Sequence, residues 1–344
     1  MTLFNAVRSN RAHHRPYFGG LAAGSKSCEP GFVIEVCQEL FSACPKPLVL
    51  SRIAPSLHGC FGPPTPQEFP DMIDPVISVQ EARACHGRSG VVFLDATWSF
   101  PNGPTPRAEG FIPGAVPFDI DVVKDAENRL PHMLPMPSVF ENHVREMGIS
   151  NASALVVYDR MGLFSAARVW WMFHIMGHAN VRVLNGGMPA WVTAGGDVTN
   201  SPGRAETIGD FTARFDTNMV TDMAGVSAAI DTGEHQILDA RPVKRFDGTA
   251  PEPRDWLRSG HMPGAINIPF GELMNADGVL TDDLSALETR GVDMKKPIIT
   301  SCGSGVTACI LSLALARQGI CSTVYDGSWM DWGGSPDTAI TVES

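Results

Sequence analysis

"PIITSCGSGVTACILSL", Pro297 to Leu313, runs from an apolar stretch through one cysteine and a glycine-containing loop into a helical pattern. An earlier stretch, "ALVVYDRMGLFSAARVWWM", Ala154 to Met172, has the same layout, with Asp159 where the later one has Cys302. Three more pairs repeat in the same order. "VVFLDATW" (Val91–Trp98) is answered by "QILDARPV" (Gln236–Val243), and "FIPGAVPFDI" (Phe111–Ile120) by "HMPGAINIPF" (His261–Phe270). "LNGGMPAW" (Leu184–Trp191) is answered by "YDGSWMDW" (Tyr325–Trp332). Matched blocks in one order are the mark of an internal repeat. The chain is therefore expected to hold a leader over 1–73, one domain over 74–200, a linker over 201–218 and a second domain over 219–344.

Within each unit, short apolar runs alternate with helical patterns. "VVFLDA", "AVPFDI", "ALVVYD" and "VRVLNG" are β-branched and do not alternate, as suits buried parallel strands. After Tyr158, apolar residues at Val169, Trp170, Phe173 and Met176 follow helical spacing. The fold class is α/β, with each parallel-rich sheet flanked by helices on both faces. In such sheets reactive groups gather at the carboxyl ends of strands. Cys302 falls at such an end.

The loop Gly303-Ser304-Gly305-Val306-Thr307 can curl so that its backbone N–H groups point at the sulfur, since glycines adopt the angles this requires. Those N–H groups and the helix N-terminus make an anion site, favouring a thiolate or a persulfide anion. A buried structural cysteine is the commoner reading of a lone thiol, but only one of the two repeats keeps the glycine-rich cradle. Cys309 and Cys321 are read as packing residues. A phosphatase needs an arginine closing the loop, and Ala308 stands there. Positive charge comes instead from "RPVKRFDGTAPEPRDWLRSGH", with Arg241, Arg245, Arg254 and Arg258. Arg245 and Arg254 flank a Gly/Pro-rich loop, as a clamp for a carboxylate would.

A net charge of −11 argues against a nucleic-acid surface. No apolar run is long enough to span a bilayer. The eight cysteines contain no C-x2-C pair and follow no metal-ligand spacing, so reduced, scattered thiols are expected. The first 28 residues carry Arg8, Arg11, Arg15 and Lys26 and no acid, like an organelle transit peptide, although Glu29, Glu35 and Glu39 follow closely. The expected location is mitochondrial or cytoplasmic.

The second-half loop "CGSGVTA" (302–308), with "HMLP" (132–135), "GLFSAARVWWMF" (162–173), "RFDGTAPEPR" (245–254), "SGHMPGA" (259–265) and "YDGSW" (325–329), resembles the two-domain rhodanese-like sulfurtransferases, on their mercaptopyruvate-using branch. The resemblance implies tandem rhodanese-like domains of which only the second is catalytic. It implies that Cys302 takes sulfur from 3-mercaptopyruvate, releases pyruvate, and passes the sulfur to a thiol such as thioredoxin, or to cyanide. It assigns Ser304 to the substrate thiol, Arg245 and Arg254 to the substrate carboxylate, and Gly303, Gly305, Val306 and Thr307 to the cradle, with no cofactor and no metal. One position departs from the pattern. Family members commonly carry a histidine directly before the first I-P-G-A, where this chain has Phe111, and the stretch from Asp95 to Gly114 is shortened. A Ser-His-Asp relay therefore does not carry over. Two alternatives stay open: thiosulfate as donor, disfavoured by the uncharged loop, and a non-catalytic sulfur-binding module.

Overall fold

The computed structural model describes residues 73–98 and 106–343, so the leader up to residue 72 and part of the shortened Asp95–Gly114 stretch lie outside the described residues. The first half runs β1 (Val76–Ile77), α1 (Val79–Cys85), β2 (Val91–Asp95), β3 (Val116–Pro117), α2 (Pro137–Glu146), β4 (Ala154–Tyr158), α3 (Ala166–Ile175), β5 (Val181–Leu184) and α4 (Gly187–Thr193). The second half runs β6 (Val220–Thr221), α5 (Met223–Thr232), β7 (Gln236–Asp239), α6 (Val243–Phe246), β8 (Ile266–Asn267), α7 (Ser285–Thr289), β9 (Ile298–Ser301), α8 (Ala308–Arg317), β10 (Ser322–Tyr325) and α9 (Ser328–Trp332). Both sheets are parallel and five-stranded, in the orders β1-β5-β4-β2-β3 and β6-β10-β9-β7-β8. The repeat in sequence is thus a repeat in topology.

Each sheet is covered on both faces, and the strands show why. Side chains alternate across a strand. Leu155 and Val157 of β4 meet Phe140 and Val144 of α2 and Val169 and Phe173 of α3 in one cluster. Val156 and Tyr158 join Ala82 of α1 and Met188 and Trp191 of α4 in another. In the second half Leu238 and Ile298 face α8, whereas Ile237 and Ile299 face Val226 of α5 and Trp329 of α9. Local signals start and stop individual helices. Ser78 and Glu81 form a reciprocal capping box on α1, and Asp222 caps α5, which ends at Gly233 in the left-handed region.

The two halves share one core. α3 and α8 lie between the sheets, and the cluster that holds them runs from Val76 to Val324. The spacing in α3 predicts one apolar stripe, but nearly every residue is buried, Ala167, Trp171 and Met172 included, because a second domain covers the face that would otherwise meet water. The stretch 201–218 is not a loose tether. Phe211 is buried against Phe140 and Phe173, and its carbonyl accepts a hydrogen bond from Arg145 Nε at 2.7 Å. No helix among the described residues is long and apolar enough to cross a membrane.

Candidate active site

β9 ends at Ser301 and α8 begins at Ala308, so Cys302 opens the turn between them at the carboxyl edge of the second sheet. The turn is held from behind by the start of α9. The Cys302 N–H donates to Ser328 Oγ (3.1 Å), while the Cys302 and Gly303 carbonyls accept from the N–H groups of Trp329 (3.0 Å) and Met330 (2.9 Å). Among the described residues, the N–H groups of 303–307 donate to no other group, which leaves them for a ligand at the sulfur. Gly305 has φ +76°, and a Cβ there would lie 2.6 Å from the Asp326 carbonyl. Only glycine fits that position without strain.

The first half shows what this turn does with a negative charge. Asp159 is fully buried in the equivalent loop, and its carboxylate accepts the N–H groups of Met161 (2.9 Å), Phe164 (2.7 Å) and Ala166 (3.0 Å). Burial pushes the Asp159 carboxyl above its usual range, against these donors, which favour the anion. Its carbonyl accepts the N–H of Met188 at 2.9 Å, matching the Cys302–Trp329 bond. One loop design holds a carboxylate in one half and presents a thiol in the other.

Cys302 lies at a cavity of about 610 Å³. Gly303, Ser304, Val306, Thr307, Arg245 and Arg254 line it too; Gly305 sits behind the wall, against Asp326 and Arg168. The arginines are held differently. Buried Glu252 accepts from Arg241 Nη1 (2.8 Å) and from Arg245 Nε (3.2 Å) and Nη2 (2.5 Å), and Asp239 pairs with Arg241 from the other side. Arg245 Nη2 lies 3.2 Å from where a Gly303 Cβ would stand, so its charge reaches the cysteine loop. The loop is uncharged, yet a guanidinium sits directly on it. Arg254 touches Met330 Sδ at 3.1 Å and, among the described residues, pairs with no carboxylate. Two carboxylates thus balance Arg241 and Arg245, and Arg254 is the surplus charge. Arg258 is elsewhere, tied to the carbonyls of Gly333 (3.0 Å) and Thr338 (3.0 Å).

Three cavity residues come from the first half: Trp98, His132 and Phe164. Trp98 and Phe164 stack at 6.1 Å, and Phe164 meets Phe270 edge to face at 5.9 Å. In the sequence these residues stand only as parts of motifs, with nothing to mark them for the site. Their presence at the cavity depends on how the halves dock, which no local pattern encodes. Phe111 is not among the lining residues; it bridges to Thr199, with Arg160 over its ring at 5.2 Å. Cys309 is buried in α8 with Sγ 3.3 Å from the Gly305 carbonyl, and burial pushes its thiol up to about 12. His261 stacks on Phe246 at 3.8 Å, away from the cavity.

Paired α/β sheets, a cysteine in an N–H cradle and an arginine-lined cavity define a class, and comparison with known families agrees. The Rhodanese-like domain profile matches residues 78–194 and 222–335, and the chain belongs to that family. It is an enzyme of the sulfurtransferase class. Over 236 residues it is 44% identical to the 3-mercaptopyruvate sulfurtransferase of Escherichia coli (strain K12), covering 67% of this chain and 83% of that one. It is 38% identical over 300 residues to thiosulfate/3-mercaptopyruvate sulfurtransferase 1, mitochondrial, of Arabidopsis thaliana, covering 79% of each. Among solved structures, SseA from Escherichia coli, a 3-mercaptopyruvate sulfotransferase of rhodanese fold, superposes with a TM-score of 0.67 at 36% identity, covering 75% of this chain and 99% of that one. Tum1 from Saccharomyces cerevisiae superposes with a TM-score of 0.69 at 28% identity, covering 78% and 97%.

Proposed function

We propose that the chain transfers sulfur from 3-mercaptopyruvate to a thiol acceptor, such as thioredoxin, through a persulfide on Cys302, releasing pyruvate. The observation that carries this reading is the meeting of the Cys302 thiol with Arg245 and Arg254 at one cavity. Arg254 and Arg245 are suited to the donor's carboxylate, and they line the same cavity as Cys302, which would take the donor's sulfur. Attack by the Cys302 thiolate on the donor sulfur divides the reaction into two nucleophilic steps. The N–H groups of 303–307 would favour the persulfide anion as their counterparts favour the Asp159 carboxylate. Ser304 is assigned to the donor thiol. The chain is proposed to act in mitochondria or cytoplasm.

Steady-state turnover of 3-mercaptopyruvate with a reduced thiol, for wild type and Cys302→Ser, beside a thiosulfate–cyanide assay, tests the reading. Preference for mercaptopyruvate with an inactive Cys302→Ser supports it. Preference for thiosulfate would move the donor assignment, with Arg245 over Gly303 supplying the charge that the loop lacks. Inactivity of wild type on both donors would point to a sulfur-binding module.

A further inference from the structure

His132 lines the same cavity as Cys302, Ser304 and Arg254, yet it comes from the other half of the chain. It is one of two non-glycine residues with positive φ among the described residues, at +61°. Such a conformation costs about 1–3 kcal/mol and persists only where the surroundings impose it. Here they do. The His132 carbonyl accepts from Arg168 Nη2, and Nη1 of the same guanidinium donates to the Gly305 carbonyl at 3.3 Å. Two residues on, the Leu134 N–H donates to Asp326 Oδ2 at 2.7 Å. One buried arginine therefore ties the His132 backbone to the loop that carries the thiol.

The ring is held as well. It packs edge-on to Trp98 at 4.6 Å, and Nδ1 lies 3.0 Å from Asp121 Oδ1, off the line of a well-formed hydrogen bond. Asp121 is steadied by Trp98 Nε1–H (2.7 Å) and by Lys124 (3.5 Å). Asp121, Lys124, Arg168 and Arg254 are the charged groups acting on the ring, but burial dominates and brings its pKa down to about 4. The imidazole is neutral at neutral pH. With Nδ1 turned to Asp121, Nε2 is the nitrogen left for the cavity.

The donor step needs a group with that property. When the Cys302 thiolate attacks the donor sulfur, the S–S bond forms and the C3–S bond breaks. The electron pair leaves on C3 as the pyruvate enolate. The transferred sulfur still carries the donor's thiol proton, while C3 lacks one to become methyl. No proton is gained or lost overall; one must cross from sulfur to carbon.

We propose that His132 is the catalytic residue that carries this proton, taking it from sulfur on Nε2 and returning it to C3, with Asp121 steadying the imidazolium that forms between. This rests on the mercaptopyruvate reading above, and assigns the proton to a residue the family resemblance leaves unassigned. The test is His132→Asn, because asparagine adopts positive φ readily and leaves the backbone in place. Rapid-quench single turnovers would read pyruvate release from mercaptopyruvate and, on enzyme loaded by long incubation, thiocyanate formation from cyanide. Cyanide takes the outer sulfur of Cys302–S–S⁻ and returns Cys302–S⁻, a step that moves no proton. The expected result is a fall of about 100-fold or more in pyruvate release, partial rescue by free imidazole, and unchanged thiocyanate formation. Unchanged pyruvate release, or equal losses in both steps, would overturn the proposal while leaving the sulfurtransferase reading in place. A wild type that releases no pyruvate would overturn both.

Discussion

Arg168 of α3 and Asp326, next after β10, pair at 2.6 Å across the boundary between the halves, with side chains 0% and 6% exposed. Arg168 also lies over the Trp171 ring at 4.5 Å. A pair so deep is expensive to break, because the surviving charge stays buried without a partner. Arg168→Met should cost about 3–5 kcal/mol, and adding Asp326→Asn should recover part of it by removing the stranded charge. Urea unfolding of the two variants measures this. A double variant no more stable than the single would show that the charge is not what the arginine answers.

Glu252 is the keel of the arginine pair, since one buried carboxylate holds both Arg241 and Arg245. Glu252→Gln should loosen Arg245 and raise KM for mercaptopyruvate about tenfold, the scale of one charge-assisted hydrogen bond. Arg254→Ala should raise it further, within about 10- to 100-fold, because it removes the surplus charge. Initial-rate kinetics with varied donor separate KM from kcat, and a change confined to kcat would contradict the clamp.

Gly305 and Gly264 share the left-handed conformation, at φ +76° and +73°, but differ in surroundings. A Cβ on Gly264 meets nothing within 4 Å, so Gly264→Ala should cost only the backbone strain, about 1–2 kcal/mol. Gly305→Ala adds the clash with the Asp326 carbonyl and should cost more in both Tm and turnover. Equal costs would mean that the loop yields freely.

Acid should weaken the fold before the carboxylates titrate. Burial lowers the pKa of His132, to about 4, and also those of His174 and His178. The unfolded histidines protonate near 6.5, so below that pH the unfolded chain binds protons that the folded chain refuses. Stability is then lost as pH falls from about 6.5 towards 4. Asp159, held above its usual range, opposes this: the folded chain takes up its proton first, as pH falls from the raised value towards the unfolded value of about 3.9. The urea midpoint should drop between pH 7 and pH 5; a flat midpoint would mean that the histidines charge in place.

Alkylation should distinguish the thiols of the cysteine loop and its helix. Cys302, itself only 2% exposed, lines the cavity, whereas Cys309 is fully buried in α8 with its thiol pushed up to about 12. Iodoacetamide at neutral pH should label Cys302 in the folded protein and Cys309 only after unfolding. Peptide mass spectrometry gives the order, and early labelling of Cys309 would contradict its placement.

Much of this architecture is legible locally. The strand–cysteine–glycine–helix run at 297–313 places the thiol without any tertiary knowledge, because strand ends, glycine turns and helix starts are written in short windows. The repeat likewise gives the sheet twice over. Arg245 and Arg254 are legible only through the motif around them, since charge alone does not distinguish them from Arg258, which ties down the C-terminal segment instead. His132, Glu252 and Arg168 are harder. His132 and Arg168 act through partners distant in sequence or through an unusual backbone angle, and Glu252 through its burial between Arg241 and Arg245, none of which leaves a mark in residue type or spacing. Phe111 shows the converse: its position in a motif suggests a place at the site, but its bridge to Thr199 keeps it out of the lining.

The shared core of α3 and α8 has a genetic corollary. The copy that carries no nucleophile still builds one wall of the cavity and fixes the loop on the other side. A deep mutational scan scored on sulfur transfer should therefore colour 132–171 as intensely as 302–308, and a chain split at 201–218 should give two fragments that work only when co-expressed. Duplication here has not freed one copy to drift. It has made the copy without the cysteine part of the other's cavity.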